Sequence, residues 1–364
     1  MGPLVLQRRA YYHCTACHKG HCPADASFGL GVSDLTAGAE ELVVLFGTNN
    51  SFAEAAKKFL TKASGLRLAE STIERATEAA GERLGKALAA GQTLGQAADW
   101  AWPRDANGRT VAYVSVDATG VPIQGRGGVE AEGRMAWVGK VFAPKPQTKP
   151  DPAKEKEKPA EGHARYLAGL MSLEELGEPL RRQAAQVGMD RAQRWVALSD
   201  CGCGVDDFLR VNFPRAVRIA DFYHVAEHLS DLAKAWRPGD PEAAEELSDR
   251  WCHTLKHEGG PAVLAVLEAL DRNGRSESSL EVHRQVTQYV SNHMDRMDYP
   301  TYVAAGWQIG SGHIEAACRT VVNERLKLSG MRWSEKGADA VCHLRALFKG
   351  DADQWEAFWA PSIN

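Results

Sequence analysis

Four acidic residues stand where chemistry could be built. Asp117, Asp200 and Asp221 each close a short apolar run (residues 110–116, 195–199 and 216–220), and Glu315 follows a Gly310-Ser311-Gly312 turn at the start of a helical pattern. β-Branched and aromatic runs of this length read as buried strands, and strand ends in α/β proteins are where sites are commonly assembled. Carboxylate oxygens are the ligands that hard cations such as Mg²⁺ or Mn²⁺ select. Two such ions ~3.5–4 Å apart can stabilise both the entering and the leaving oxygen of an in-line displacement at phosphorus. Two Asp and one Glu gathered by folding would supply that site. A lone Asp after a strand is ordinarily a turn or helix-cap residue, so the acids need context.

That context begins with the whole chain. Its 364 residues suffice for two or three domains, and 44% hydrophobic with 25% charged residues is the balance of a globular protein. No apolar run approaches the ~20 residues that span a bilayer, and the N-terminus lacks the pattern of a secretory signal, so a cytoplasmic protein is expected. The net charge of −4 argues against nucleic-acid binding when averaged over the chain. It is unevenly distributed, however: residues 318–349 hold seven Lys or Arg against three acids, a local +4.

The elements that must position the acids follow from periodicity. Residues 1–33 are rich in Cys, His and Gly and lack a period. Residues 34–98 read as helices, with Ser51-Phe52-Ala53-Glu54 as a capping box and a further helix from about Ser71. Strands are expected at 110–116, 137–142, 195–199 and 216–220, with a helix at 170–185. Residues 143–162, with five Pro and five Lys, read as a solvated linker. Residues 225–292 are helical with breaks at Pro238-Gly239, Gly259-Gly260-Pro261 and Asn273-Gly274. Strands followed by helices indicate an α/β core carrying a helical insertion.

Four segments carry a resemblance: VSVDATG (114–120), ALSDCGCG (197–204), RIADFYHVAEHL (218–229) and GWQIGSGHIEAACRTVVNERLKLSGMRWS (306–334). From about Arg8 to Phe348 the chain resembles bacterial insertion-sequence transposases of the ISKra type, in the Mutator-like group of DDE enzymes. The resemblance implies an RNase H-like catalytic core interrupted by a helical insertion, with Asp117 and Asp200 as metal-holding catalytic acids and Glu315 as the catalytic Glu that ligates a metal and helps activate the nucleophile. It also matches Asp221 and His224 to the group's Asp/Cys-x-x-His signature, as accessory residues beside the metals or as groups satisfying buried polar atoms. The spacings, 83 residues from Asp117 to Asp200 and 115 from Asp200 to Glu315, leave room in the second gap for such an insertion. His228 follows His224 at i+4, a spacing that metal ligands use, but with no third ligand a structural histidine is the plainer reading.

After the turn, Glu315, Arg319 and Asn323 recur at i, i+4 and i+8, with Lys327 a turn beyond, a face suited to a phosphate backbone. Its bland alternative is a solvated, charge-paired face. Arg332 adds to the basic segment, His313 is a candidate phosphate contact, and Trp333 is read either as a base-stacking ring or as a core residue. Within 34–98 a helix-turn-helix would use the helix at 71–84 for reading, with Thr72 and Arg75 facing DNA. At the N-terminus Cys14 and Cys17 form one Cys-x-x-Cys knuckle for Zn²⁺, which needs four ligands. The resembling proteins carry a second knuckle upstream. Here the start is truncated, or His18, His21 or Cys22 complete the set, or zinc is lost.

The expected organisation is a zinc-ribbon-like segment (1–33), a helix-turn-helix module (34–98), a first core part (99–224), a helical insertion (225–305), final core helices (306–350) and a tail (351–364). The expected activity is divalent-metal-dependent DNA strand cleavage at transposon ends and strand transfer. Double-stranded DNA is the partner, and a homo-oligomer holds the two ends together. A non-catalytic DNA-binding protein that keeps the fold, or an RNase H-like nuclease, are the alternatives.

Overall fold

The computed structural model describes residues 10–27, 35–125, 132–144, 162–202 and 204–360. Residues 1–9 and 28–34 of the expected zinc segment and its border, 145–161 of the expected linker, and Cys203 lie outside the described residues. Near the N-terminus β1 (Tyr12–His13) and β2 (Gly20–His21) pair as an antiparallel hairpin. Helix α1 (Ala37–Asn49) follows, then a helical stretch over residues 52–64 and the long α2 (Glu70–Ala89). Ser51 caps the middle stretch by accepting from the Glu54 amide at 3.2 Å. The stretch ends at Gly65, whose φ of 73° suits glycine.

Five strands form the main sheet: β3 (Val111–Val121), β4 (Arg134–Ala143), β5 (His163–Gly169), β6 (Arg194–Ser199) and β7 (Ala216–Ala220). Their order is β5-β4-β3-β6-β7, with β3, β4 and β5 antiparallel and β6 and β7 added in parallel to β3. The chain is therefore a mixed α/β protein. β5 has no counterpart among the sequence expectations. It emerges directly from the Pro- and Lys-rich stretch, and its short HARYLAG run is too brief to show a period.

Both faces of the sheet are covered. On one, Ala112, Val114, Val116, Val141 and Ala197 meet α3 (Leu173–Gln186) and α4 (Val205–Asn212). α3 begins at Ser172 with a complete capping box to Glu175. Tyr113, Phe142, Val196 and Leu198 occupy the other face and join the core of a helical region: α5 (Phe222–Trp236), α6 (Pro241–Glu258), α7 (Gly260–Glu268), α8 (Glu277–His293) and α9 (Tyr299–Ala304). The breaks read at Pro238-Gly239 and Asn273-Gly274 fall between these helices, while of Gly259-Gly260-Pro261 only Gly259 does, Gly260 and Pro261 opening α7.

The chain then returns through α10 (Gly312–Ala317), a π-helical turn (Cys318–Asn323), and α11 (Glu335–Lys349). These cover Val121, Val138 and Tyr166 at the other end of the same face. The last segment, expected as a tail, contains α12 (Ala352–Trp359). Its Asp353 accepts from the fully buried Arg165 at 3.3 Å and from the Gln96 amide at 2.9 Å, which ties it to β5. No helix among the described residues is long and apolar enough to cross a membrane.

The N-terminal helices are fastened to the C-terminal ones. Fully buried Arg325 packs on the rings of Phe52 and Trp333, 4.7 and 4.8 Å from their centroids, and donates twice to the Gly47 carbonyl at 3.2 and 3.1 Å. Burial, with Arg345 nearby, lowers its pKa to about 10. Arg345 reaches Asn49 at 2.9 Å and the Val321 carbonyl at 3.0 Å.

α2 and α11 come closest at Gly81, where an added Cβ would lie 2.2 Å from the Ala340 carbonyl oxygen. Alanine is the better helix former by about 1 kcal/mol, but overpacking against backbone costs about 1–3 kcal/mol. Gly81→Ala is therefore expected to lower the midpoint of thermal unfolding. An unchanged or raised midpoint would show that the two helices are not in backbone contact there.

Candidate active site

Parallel pairing brings the first two acids together. β3 and β6 pair up to Ser115 with Leu198, and two residues further along each chain stands an acid, Asp117 and Asp200. Side chains alternate along a strand, so both acids keep the face of Tyr113 and Leu198. The expected strand end at Asp117 is only half right. β6 departs there, but β4 goes on pairing as far as Val121 with Arg134, so Asp117 lies mid-strand, opposite Val138. A run rich in β-branched residues marks where a strand begins better than where it stops, because Ala118-Thr119-Gly120 resembles a turn until its partner is known.

Asp117 is half-buried and accepts from the Ala118 amide at 2.6 Å and from the Cys318 thiol at 3.5 Å. Burial raises its pKa, and the charges of Asp200 and Glu315 push in the same direction. Asp200 Oδ1 accepts from the Gly202 amide at 2.8 Å, and its carbonyl accepts from the Tyr289 hydroxyl of α8 at 3.1 Å. Next to it, Cys201 holds φ at 63°, a left-handed conformation uncommon for a residue with a side chain and one that gathers at functional sites. Burial pushes the Cys201 thiol up to about 11.

Glu315 stands exposed on α10, and its Oε1 accepts from the Ser311 hydroxyl at 2.9 Å. Ser311, itself buried, also makes a short hydrogen bond to Asp221 Oδ2. Its one hydrogen serves one carboxylate at a time, so Ser311 couples two acids. Asp221 is buried and caps α5 by accepting from the Tyr223 amide at 2.8 Å. The sequence drew attention to the Gly310-Ser311-Gly312 turn but assigned no role to Ser311, nor to Tyr289 or Cys318. Serine within a glycine turn carries no signal that distinguishes a bridge from a bend.

The other candidates fall outside this group. The His224 ring lies 4.7 Å from that of His228, and its Nδ1 stands 3.8 Å from Glu227. His228 and His293 pack on the Tyr289 ring at 4.4 and 4.7 Å. His313 packs its ring on Phe142 at 4.9 Å, while its carbonyl accepts from buried Lys140 at 3.2 Å. Trp333 is buried, donating to the Leu326 carbonyl at 3.1 Å, which corrects the base-stacking alternative in favour of the core one.

The single face through Glu315, Arg319, Asn323 and Lys327 is also divided. The π turn over Cys318–Asn323 adds a residue to the helical repeat. Arg319, largely exposed, pairs at i+5 with Glu324 at 4.0 Å. Asn323 and Lys327 instead turn to the Thr119 hydroxyl of β3, at 3.0 and 2.7 Å. Arg332 is exposed. On α2, Arg75 is exposed and Thr72 half-buried, while Ile73, Ala76, Ala80 and Leu84 face the protein.

Among the described residues no group of three or more His, Cys, Asp or Glu side chains is gathered closely enough to hold a metal ion. The donor chemistry at Asp117, Asp200 and Glu315 nonetheless suits a hard divalent cation. The donors are carboxylate oxygens on one face of the sheet, and Asp117 feels the charge of the other two. In the N-terminal knuckle Cys14 has a lowered pKa, chiefly from the Cys17 and Ala16 amides. No protein-family model matches the chain, and comparison with curated proteins returns no match.

Thiolate is the reactive form of cysteine, so these environments rank the thiols. Near neutral pH exposed Cys14 is expected to alkylate first. Cys201, Cys318 and Cys342, whose pKa values burial raises, should label only on unfolding. Mass-spectrometric footprinting reads the order, and early labelling of Cys318 would remove it from its place against Asp117.

Proposed function

We propose that the chain is a DDE-type DNA transposase of the ISKra-like, Mutator-like kind, with an RNase H-like core that cuts DNA strands at transposon ends and joins them to a target. The observation that carries this reading is the co-facial placement of Asp117 and Asp200 by the parallel register, with Glu315 close enough for its charge to bear on Asp117. Three antiparallel strands extended by two parallel ones, with a helical region between the second acid and the Glu, suit such a core.

In this reading Asp117, Asp200 and Glu315 hold Mg²⁺ or Mn²⁺. The bound metal would supply Lewis-acid stabilisation of the phosphoryl oxygens and a more acidic water. The chain's own residues do the positioning. Ser311 fixes the rotamer of Glu315, Tyr289 and the Gly202 amide fix the turn that carries Asp200, and Cys318 and the Ala118 amide orient Asp117. Hydrolysis forms a bond from water oxygen to phosphorus and breaks the bond to the 3′ oxygen, which leaves as a hydroxyl. That hydroxyl would then attack a target phosphorus in line, forming a new O–P bond as the bond to the target strand's own 3′ oxygen breaks and that oxygen leaves as a hydroxyl. Exposed Arg319, Lys327, Arg332 and Arg75 are the side chains offered to the DNA backbone.

Cleavage of DNA carrying the element's ends, with Mg²⁺ or Mn²⁺, is the deciding measurement. Asp200→Asn should abolish cleavage and leave end binding near normal. Ser311→Ala should slow cleavage by about five- to thirtyfold without abolishing it, since losing a positioning hydrogen bond costs ~1–2 kcal/mol. Cleavage surviving in Asp200→Asn would remove that acid from the site. Wild-type protein that shifts end DNA but never cuts would favour a non-catalytic binder, and preferential cutting of RNA a nuclease.

Backbone contacts are separable by salt. Arg319→Ala should weaken DNA binding and lower the slope of log affinity against log salt by roughly one unit. An unchanged slope returns Arg319 to solvent.

A further inference from the structure

Several exposed aromatic residues are already accounted for by their place in the fold. Phe59 stacks on Phe46 and Phe348 lies edge-on to Trp355, while Tyr11 and Tyr12 belong to the N-terminal hairpin region. Tyr223 differs. It is 63% exposed, yet it sits on the segment that builds the acidic site. Its amide is the donor that Asp221 accepts at 2.8 Å, and Asp221 is joined through Ser311 to Glu315. Its ring lies against Gly310, where an added Cβ would stand 2.6 Å from two ring carbons. Gly310 keeps φ outside the left-handed region, so its bareness is used for this close approach rather than for a turn conformation. Behind it the Phe222 ring meets Tyr223 edge-on at 5.6 Å and is itself held edge-on by buried Tyr299 at 5.2 Å. The Phe222 amide is fixed to the Ile309 carbonyl at 2.9 Å.

The result is an aromatic ring with a supported position and an open surface, beside the carboxylates. Singly exposed aromatic side chains are ordinary; what sets Tyr223 apart is that its ring is braced by Gly310 and Phe222 on the segment that carries Asp221. Rings placed in this way beside a phosphate-handling site suit the π-face of an unstacked base, a contact that every base can make. Trp333, for which the sequence left base stacking open beside a core role, is buried and unable to make such a contact.

We propose that Tyr223 is a stacking platform for an unpaired base next to the phosphodiester undergoing reaction, so that the site takes DNA that is frayed or single-stranded beside the cut. This rests on the DNA-cleaving reading above and deepens it by naming the local form of the substrate. Tyr223 acts as a positioning residue, through ring contact with the base and without a role in the displacement itself.

The test uses the full chain and two fluorescent probes, a blunt DNA duplex and the same duplex with a short single-stranded overhang containing 2-aminopurine. Wild-type protein should bind the overhang form about tenfold more tightly than the blunt form and quench the 2-aminopurine by stacking. Tyr223→Phe should keep both effects. Tyr223→Ala should lose the preference and the quench while binding blunt duplex as wild type does, a split that general damage to the fold would not produce. Equal overhang preference and quench in Tyr223→Ala would overturn the proposal, as would a wild-type protein that binds both probes alike. Failure to bind either probe would overturn the DNA reading and this inference with it, and so is distinguishable from failure of the inference alone.

Discussion

The negative field of Asp200 and Glu315 on the partly buried Asp117 carboxylate is the constraint around which the site is organised. Burial already disfavours the charge on Asp117, and Asp200 and Glu315 add to that cost. The described donors to these acids are neutral: backbone amides, a thiol and a hydroxyl. Each such bond contributes about 1 kcal/mol net and fixes a direction, but none cancels a charge. The field that makes the arrangement costly therefore stays available to an incoming cation or to a proton in transit.

Holding the acids in place falls to elements far apart in sequence. The helical region between Asp200 and Glu315 shares one buried core with the sheet, from Val111 and Leu198 to Trp251 and Val290. It also hydrogen-bonds strand ends, with Tyr289 donating to the Asp200 carbonyl and Tyr299 to that of Ala220. It acts as a brace for the turns that bear Asp200 and Asp221.

Much of this architecture was legible because it is written in local periods. The strands at 195–199 and 216–220, the helix cap at Ser51 and the helix breaks at glycines or prolines each depend on neighbours within a few residues. The acids were legible as positions, since Asp117, Asp200 and Asp221 follow apolar runs. β5 was not legible, because its seven residues acquire their meaning from pairing with β4. The phase of the helix after Glu315 was lost for a related reason. A π turn depends on what the helix packs against, and one extra residue was enough to send Arg319 toward Glu324 and Lys327 toward Thr119. Ser311 and Tyr289 were missed because a bridge between distant acids leaves no spacing to read.

The buried arginines carry the argument one step further. A cation in the interior is tolerated when its donors are satisfied and its desolvation is offset. The described partners of Arg325 are the Gly47 carbonyl, the Met331 sulfur and the rings of Phe52 and Trp333. Gly47 belongs to α1, and Arg325 follows directly on the π turn, so the guanidinium joins the N-terminal helices to the segment that runs on from Glu315. Arg345 repeats the link through Asn49 and the Val321 carbonyl, inside that same π turn. Truncating either arginine would leave buried acceptors unpaired, a larger loss than the bonds themselves provide. The N-terminal helices and the Glu315 segment are thus held as one unit by two buried guanidinium groups.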